Sequence, residues 1–210
     1  MVIRIVPMVA LLTLSFIAFA QPVTWQVRAG WHTSSAQIIN KASLKKSTTN
    51  HLNGFSAGAG IRVEFDKQLY FTPRIQYSLH GYEVAAEKQV PAKQFRLHYI
   101  EIPVLLQYDF SKTGQGFYAQ GGPSLGAAIS GSQKTEDQQT PLRFGMTQYN
   151  RVNIDALAQI GYRLKNGLAI DASYTYGLTS ITNGDDLPTV RMAQFGIGLS
   201  YHISKTTNQK

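Results

Sequence analysis

From residue 24 onward, apolar and polar side chains take turns along the chain in eight separate runs, and no other feature limits the fold as much. Alternation with period two sends successive side chains to opposite faces of a strand, so each run predicts a strand with two unlike faces. In the first, residues 24–32, Trp25, Val27, Ala29 and Trp31 oppose Thr24, Gln26, Arg28, Gly30 and His32. The same scheme recurs over 55–65, 69–80, 99–110, 117–129, 152–164, 168–178 and 193–203. Three prolines, Pro73, Pro103 and Pro123, fall inside these runs, where a missing N–H removes a ladder bond. Local bulges are the expected remedy.

The connections alternate as well. Residues 33–54, 81–95, 130–150 and 179–191 are long and polar, whereas 66–68, 111–116 and 165–167 are short, the last carrying the Asn166-Gly167 hairpin signal. Strands of roughly 9–11 residues or more, joined alternately by short turns and long loops, predict an eight-stranded, antiparallel, up-and-down transmembrane β-barrel. An even strand number would leave both chain ends on the side of the short turns.

A soluble eight-stranded barrel would put the apolar set inside and the polar set in water. Here the polar set is rich in Gly, Ser and Gln and poor in Lys, which favours the inverted arrangement with the apolar set against lipid. Aromatic placement points the same way. Trp25, Phe65, Phe71, Tyr108, Phe110, Phe117, Tyr162 and Tyr201 fall near the turn end, and Trp31, Phe55, Tyr77 and Tyr176 toward the loop end. Two aromatic girdles at the lipid interfaces would account for them. On the polar face, Arg28, Arg62, Arg74 and Arg163 stand against Glu64, Glu101, Asp155 and Asp171. Eight strands enclose a space just wide enough for side chains, and charges packed there are costly unless paired. A lumen ion network is therefore expected, with Arg28, Arg62 and Arg74 projecting toward Glu101 and Asp171; a gated conduit is the functional alternative.

The first twenty residues, MVIRIVPMVALLTLSFIAFA, carry one positive charge, an apolar run and the small-residue ending Ala18-Phe19-Ala20. This is the pattern of a secretory signal peptide cleaved after Ala20, giving a barrel domain over 21–204 and a short polar tail over 205–210. The chain has no cysteine, which excludes a disulfide framework, a thiolate metal site and a cysteine nucleophile.

Residues 98–110, HYIEIPVLLQYDF, resemble the Tyr-(Leu/Ile)-Glu-(Ile/Leu)-Pro segment of PorT-type outer-membrane β-barrel proteins of Bacteroidetes. The blocks GFYAQGGPSLG (116–126), IDALAQIGYRLKNGLAIDASYTYGLTSI (154–181) and FGIGLSYHI (195–203) follow in that family's order. Ser173, where an arginine is expected, and the closing KTTNQK depart from it. The resemblance implies an integral outer-membrane barrel without enzyme activity, and some PorT-type members are associated with protein secretion.

No catalytic, cofactor or metal site is expected. Behind a small pore or ligand-binding conduit, the remaining alternative is an outer-membrane enzyme using His32, His80 and His98 near the external rim, for which no nucleophile motif is present. Gly114-Gln115-Gly116-Phe117-Tyr118-Ala119 mimics a dinucleotide loop but leads into a strand rather than a helix. The five histidines show no ligand spacing. Net charge is +8, yet the basic residues are scattered, which argues against a nucleic-acid partner. Outer-membrane lipid is the expected partner, with secretion or envelope proteins as further ones. Lys41, Lys45, Lys46, Lys88, Lys93 and Arg96 in the first two loops are candidates for lipopolysaccharide phosphates, the plainer reading being a solvated loop.

Overall fold

The computed structural model describes residues 23–41, 46–86, 91–135, 138–145, 149–184 and 187–203. The expected signal peptide (1–20), the tail (205–210), Lys45 and Lys88 lie outside these residues. The described chain forms ten antiparallel strands: β1 (Val23–Ile39), β2 (Lys46–Thr48), β3 (Asn50–Asp66), β4 (Leu69–Val84), β5 (Lys93–Asp109), β6 (Gly116–Thr135), β7 (Gln138–Pro141), β8 (Val152–Arg163), β9 (Leu168–Gly177) and β10 (Thr189–Ile203). Eight of them follow one another around a ring, β1-β3-β4-β5-β6-β8-β9-β10, and β10 pairs with β1 to close it. Closure leaves no edge in the ring, so its backbone N–H and C=O groups find partners without water. β2 and β7 are short flaps on β1 and β6 beyond the ring.

The alternation sets the faces as the inverted arrangement requires. Outward residues such as Trp25, Ile75, Leu106, Ile160, Ile170 and Leu199 are exposed, and inward Gln26, Arg74, Gln107, Gln159 and Asp171 are buried. Apolar exposure on this scale is unfavourable in water and favourable in hydrocarbon. Where the strands tighten, small inward residues make room. A side chain at Gly198 would run into the Arg28 guanidinium, and Gly167, at a φ of 84°, makes the tight turn between β8 and β9.

Two expectations need correction. Bulges do not absorb the prolines: register shifts fall at His51/Ser56, Glu64/Asp66 and His98/Tyr99 instead. Each proline faces a partner on the following strand, Pro73 on Val104, Pro103 on Ser124 and Pro123 on Ala156. Pairing with the preceding strand is skipped there and resumes in the same register. The missing N–H thus costs ladder bonds on one side only.

The second correction concerns the polar loops, which contain much more strand than expected. β1 runs to Ile39, β3 begins at Asn50, β4 runs to Val84, β5 begins at Lys93, β6 runs to Thr135 and β10 begins at Thr189. A 17-residue strand such as β1 reaches roughly 56 Å at about 3.3 Å per residue, well beyond a lipid band some 25 Å tall even when tilted. β8 and β9, with 12 and 10 residues, stop short, so the wall is high on one side and low on the other.

Inside the high wall the contents change. Ala36, Tyr82, Phe95, Leu97, Tyr99, Ala128, Val190 and Met192 form a buried apolar cluster with Ile181. Leu142, Phe144 and Tyr149, from the segment preceding β8, pack against it over the low side. Burial pushes the Tyr149 hydroxyl above its usual pKa, so the phenol stays neutral in this packing.

Candidate functional site

The polar lumen gathers nearly all the chemistry of the chain. Alternation turns every second side chain of a strand inward, many of them polar within the lipid band, and ring closure points them at each other. At the turn end, Asp109 at the end of β5 is almost fully buried and serves two cations. Its Oδ2 accepts from Arg62 Nη2 at 2.5 Å and from Arg163 Nη1 at 3.0 Å, while Oδ1 accepts from Gln107 Nε2 at 2.6 Å. Arg62 also lies 3.2 Å above the Tyr70 ring, and Arg163 donates to the Gly114 carbonyl at 2.7 Å.

Halfway along, Arg28 makes a bidentate pair with Asp171, Nε to Oδ2 at 3.0 Å and Nη2 to Oδ1 at 2.6 Å. Such paired, charge-assisted bonds fix orientation as well as adding energy. Gln159 donates to Asp171 Oδ1 at 3.1 Å and accepts through Oε1 from Arg74 Nη2 at 2.9 Å and Gln120 Nε2 at 2.7 Å. Arg74 Nε donates to Gln76 Oε1 at 2.9 Å, and Gln76 Nε2 donates to Glu101 Oε2 at 2.7 Å. Glu101 Oε1 lies 3.0 Å from His80 Nε2, whose Nδ1 is 3.1 Å from the Gln194 amide. A continuous series of bonds therefore crosses the barrel from β1 through β9, β8 and β4 to β5.

Among the residues singled out by sequence, Arg28 meets Asp171 directly, whereas Arg62 goes to Asp109 rather than to Glu101 or Asp171. Arg74 reaches both acids only through Gln159 and Gln76. Arg163 shares Asp109, and Asp155 accepts from Asn153 at 2.6 Å. The Glu64 side chain, inward at the turn end of β3, takes part in no ion pair or hydrogen bond among the described residues, although its backbone pairs with Tyr70. Sequence reasoning missed Asp109 as a partner, together with His80 and the three bridging glutamines. The signal was present: Asp109 shares the parity of Glu101 on one strand, and Gln76, Gln120 and Gln159 fall on the inward parity of theirs.

Of the aromatics read as girdles, Trp25, Phe65, Phe71, Tyr108, Phe110, Phe117, Tyr162 and Tyr201 are exposed, as are Trp31 and Phe55. Tyr77 and Tyr176 are half-buried. Phe117 packs edge-on to Tyr162 with centroids 5.0 Å apart, and Tyr108 to Phe110 at 5.3 Å. Near the loop end Phe55 meets Tyr77 at 5.6 Å. Among the described residues there is no group of three or more His, Cys, Asp or Glu able to hold a metal ion, and no helix long and apolar enough to cross a membrane.

Solved outer-membrane barrels resemble this ring in fold. Neisserial surface protein A, NspA, is similar at a TM-score of 0.53 and 19% identity, covering 84% of this chain and 96% of its own. Ail of Yersinia pestis, crystallised with the heparin analogue sucrose octasulfate, gives 0.49 and 14% over 87% of this chain and 99% of its own. OprG of Pseudomonas aeruginosa gives 0.47 and 13% over 88% and 98%. At these identities the likeness speaks to the fold alone. No curated protein matches the chain. The family model described as the outer membrane protein beta-barrel domain matches residues 19–183, which reach from the expected cleavage site past β9. Ring closure, lipid-facing apolar strands and this match agree, and the chain belongs to the outer membrane protein beta-barrel domain family.

Proposed function

We propose that this protein is a non-enzymatic barrel of the outer membrane whose braced lumen is structural and whose task is carried out at its two ends. In this reading residues 1–20 are the export signal, removed before insertion. The barrel serves as a structural or secretion-associated component of PorT type, with protein partners of the envelope or secretion apparatus and with lipopolysaccharide at its loop-end rim. Lys41 before β2, Lys46 at its start, and Lys93 and Arg96 on β5 supply cations for lipid phosphates there.

The observation that carries the reading is the series of bonds from Arg28 to Glu101 across the lumen. Opening a conduit would mean separating buried charges from their partners, which costs several kcal/mol for each pair. A small pore would instead keep these groups loosely hydrated.

Planar-bilayer recording separates the two. Purified protein is expected to give no steady conductance, and Glu101→Gln is expected to leave the trace flat. A stable unitary current that changes in Glu101→Gln would replace the structural reading with the pore. For the secretion-associated part, deletion of the gene is expected to lower exported protein or weaken the envelope; an unchanged secretome and intact envelope would remove it.

A further inference from the structure

The turn end of the lumen opens into a polar cup of about 350 Å³ that the bracing network does not fill. Arg62, Arg163, Lys165 and His202 line it with the hydroxyl residues Thr24 and Thr113, and the turns around Gly114 and Gly167 form its rim. Asp109 is the one carboxylate paired with the two guanidiniums among the described residues. Arg163 is 94% buried, yet its Nε and Nη2 have no partner, and neither do Arg62 Nε and His202 Nδ1. Buried N–H donors are nearly always satisfied, and each one left bare costs on the order of 1–3 kcal/mol. Arg163 Nε and Nη2 and Arg62 Nε, three bare N–H groups on residues that line one cup, are a donor set awaiting an acceptor, and His202 Nδ1 adds a polar atom whose role its tautomer decides.

Charge narrows the choice of acceptor. Around the cup three cations, Arg62, Arg163 and Lys165, face one carboxylate, a surplus of two positive charges. Adding Lys67 and Lys112 from the neighbouring turns, with Asp66 and the inward Glu64, leaves that surplus unchanged. A carboxylate would neutralise half of it and offer two oxygens. A phosphate group carries up to two negative charges and several oxygens, and guanidinium edges match it bidentately.

We propose that the turn-end cup is a phosphate-binding site in which Arg163, Arg62 and Lys165 hold the anion. Thr24 and Thr113 supply hydroxyls at its margin. The phosphate comes either free from the aqueous phase or as a phospholipid headgroup. The rim favours access from the bilayer edge, because exposed Leu164 and Tyr201 lie beside the cup among the turn-end aromatics. The site stands on residues remote from the external loops and is independent of any partner acting there.

The test uses folded full-length protein in nonionic detergent, titrated with inorganic phosphate, and the same protein in nanodiscs of zwitterionic lipid with and without phosphatidic acid. The readouts are the unfolding temperature and the NMR shift of Arg163 Nε–H. Phosphate is expected to raise the midpoint saturably and move that resonance, while chloride at equal ionic strength does neither. Arg163→Gln is expected to weaken the apparent affinity about tenfold, as loss of one charge-assisted contact does. Lys165→Gln, on an exposed turn where folding is safe, is expected to weaken it about threefold. A response confined to the phosphatidic-acid discs supports the site with a lipid headgroup as its source, and a response in detergent supports the free anion. No response beyond that of chloride to either inorganic phosphate or phosphatidic acid, or a response unchanged in both variants, overturns the site.

Discussion

The lipid band and the loop-end extension are built from the same strands with opposite contents. Along β4, odd residues Phe71, Ile75 and Tyr77 point outward in the band and even residues Thr72, Arg74 and Gln76 inward. The parity holds as the strand climbs, yet the outward residue becomes Glu83 and the inward ones Tyr82 and Val84. β5 repeats this, with Ile100 and Ile102 outside Glu101 in the band but Arg96 outside Phe95 and Leu97 above it. β1 and β10 do the same, with Ala36 and Ile38 inward opposite Gln37, and Val190 and Met192 inward opposite Arg191. One continuous barrel is inside-out where it meets hydrocarbon and conventional where it meets water. The solvent outside the wall decides the content of each level, since polar residues belong on whichever face water or a filled polar lumen can satisfy.

The comparison is sharpest at the level of single residues. The largest effect belongs to the lumen: Asp109→Ala strands Arg62 and Arg163 together in a buried space. It is expected to cost about 3–5 kcal/mol, the usual penalty for removing one partner of a buried pair. Urea unfolding in lipid vesicles reads it. A cost under 1 kcal/mol would mean that the turn end is already hydrated and the brace contributes little. Asp109→Asn, which keeps the shape and one acceptor oxygen, is expected to fall between Ala and wild type.

Next comes the core of the extension. Leu97 is fully buried within the apolar cluster, and Leu97→Ala is expected to cost about 2–5 kcal/mol by lost burial and cavity. Because the cluster sits above the lipid band, the loss should appear first as local opening, seen as faster hydrogen exchange at β4, β5 and β10 above Tyr99, with the band still protected. Uniform loss of protection along those strands would show that band and extension unfold as one unit and would remove the division between them.

The band itself was legible in the sequence because its outward face is apolar without interruption, and parity alone located the inward charges. The extension was not, for a physical reason. Where the environment outside changes from lipid to water, the apolar parity switches from odd to even on β4 and β10, and the run reads as ended at Leu79 or as starting at Ala193. Leu97 and Phe95, out of phase with Ile100, read as loop for the same reason. The bonding inside the lumen was half legible. Parity puts Arg28 and Asp171 on the inward face, but barrel stagger decides which charges reach one another, and stagger is set by the pairing register of all eight strands. That is why Arg62 ends at Asp109, and why glutamines rather than acids meet Arg74.

Smaller effects follow on the outer surface, where the two regions differ only in what surrounds them. Leu199 faces lipid on β10 between the turn-end Tyr201 and Ile197, which pairs with the loop-end Trp31, and is 55% exposed; Leu199→Arg is expected to cost about 2–4 kcal/mol in a bilayer. Arg191, outward on the same strand eight residues nearer the loops, provides the control: Arg191→Leu is expected to change stability by less than about 0.5 kcal/mol. Vesicle unfolding of both variants tests the switch of environment along a single strand. Equal costs at the two positions would place lipid over the extension as well.

The smallest effect marks the boundary itself. Tyr77 lies outward at the top of the band, its ring against Phe55 and its hydroxyl 2.5 Å from His98 Nδ1 on β5. Below it on β4 the next outward residue is Ile75, and two positions beyond His98 on β5 is Arg96, so the pair stands where the outer face passes from apolar to charged. A ring in lipid with its polar tip toward water is the arrangement that an interfacial tyrosine favours. Removing only the hydroxyl, as in Tyr77→Phe, is expected to cost about 0.5–1.5 kcal/mol, the net worth of one hydrogen bond. The paired change of Tyr77→Phe with His98→Leu should cost less than the sum of the two single changes, because the imidazole left alone is the costly state. A double-mutant cycle in vesicles with no such coupling would mean that water already serves both groups, and the level at which lipid gives way to solvent would then lie below Tyr77 rather than above it.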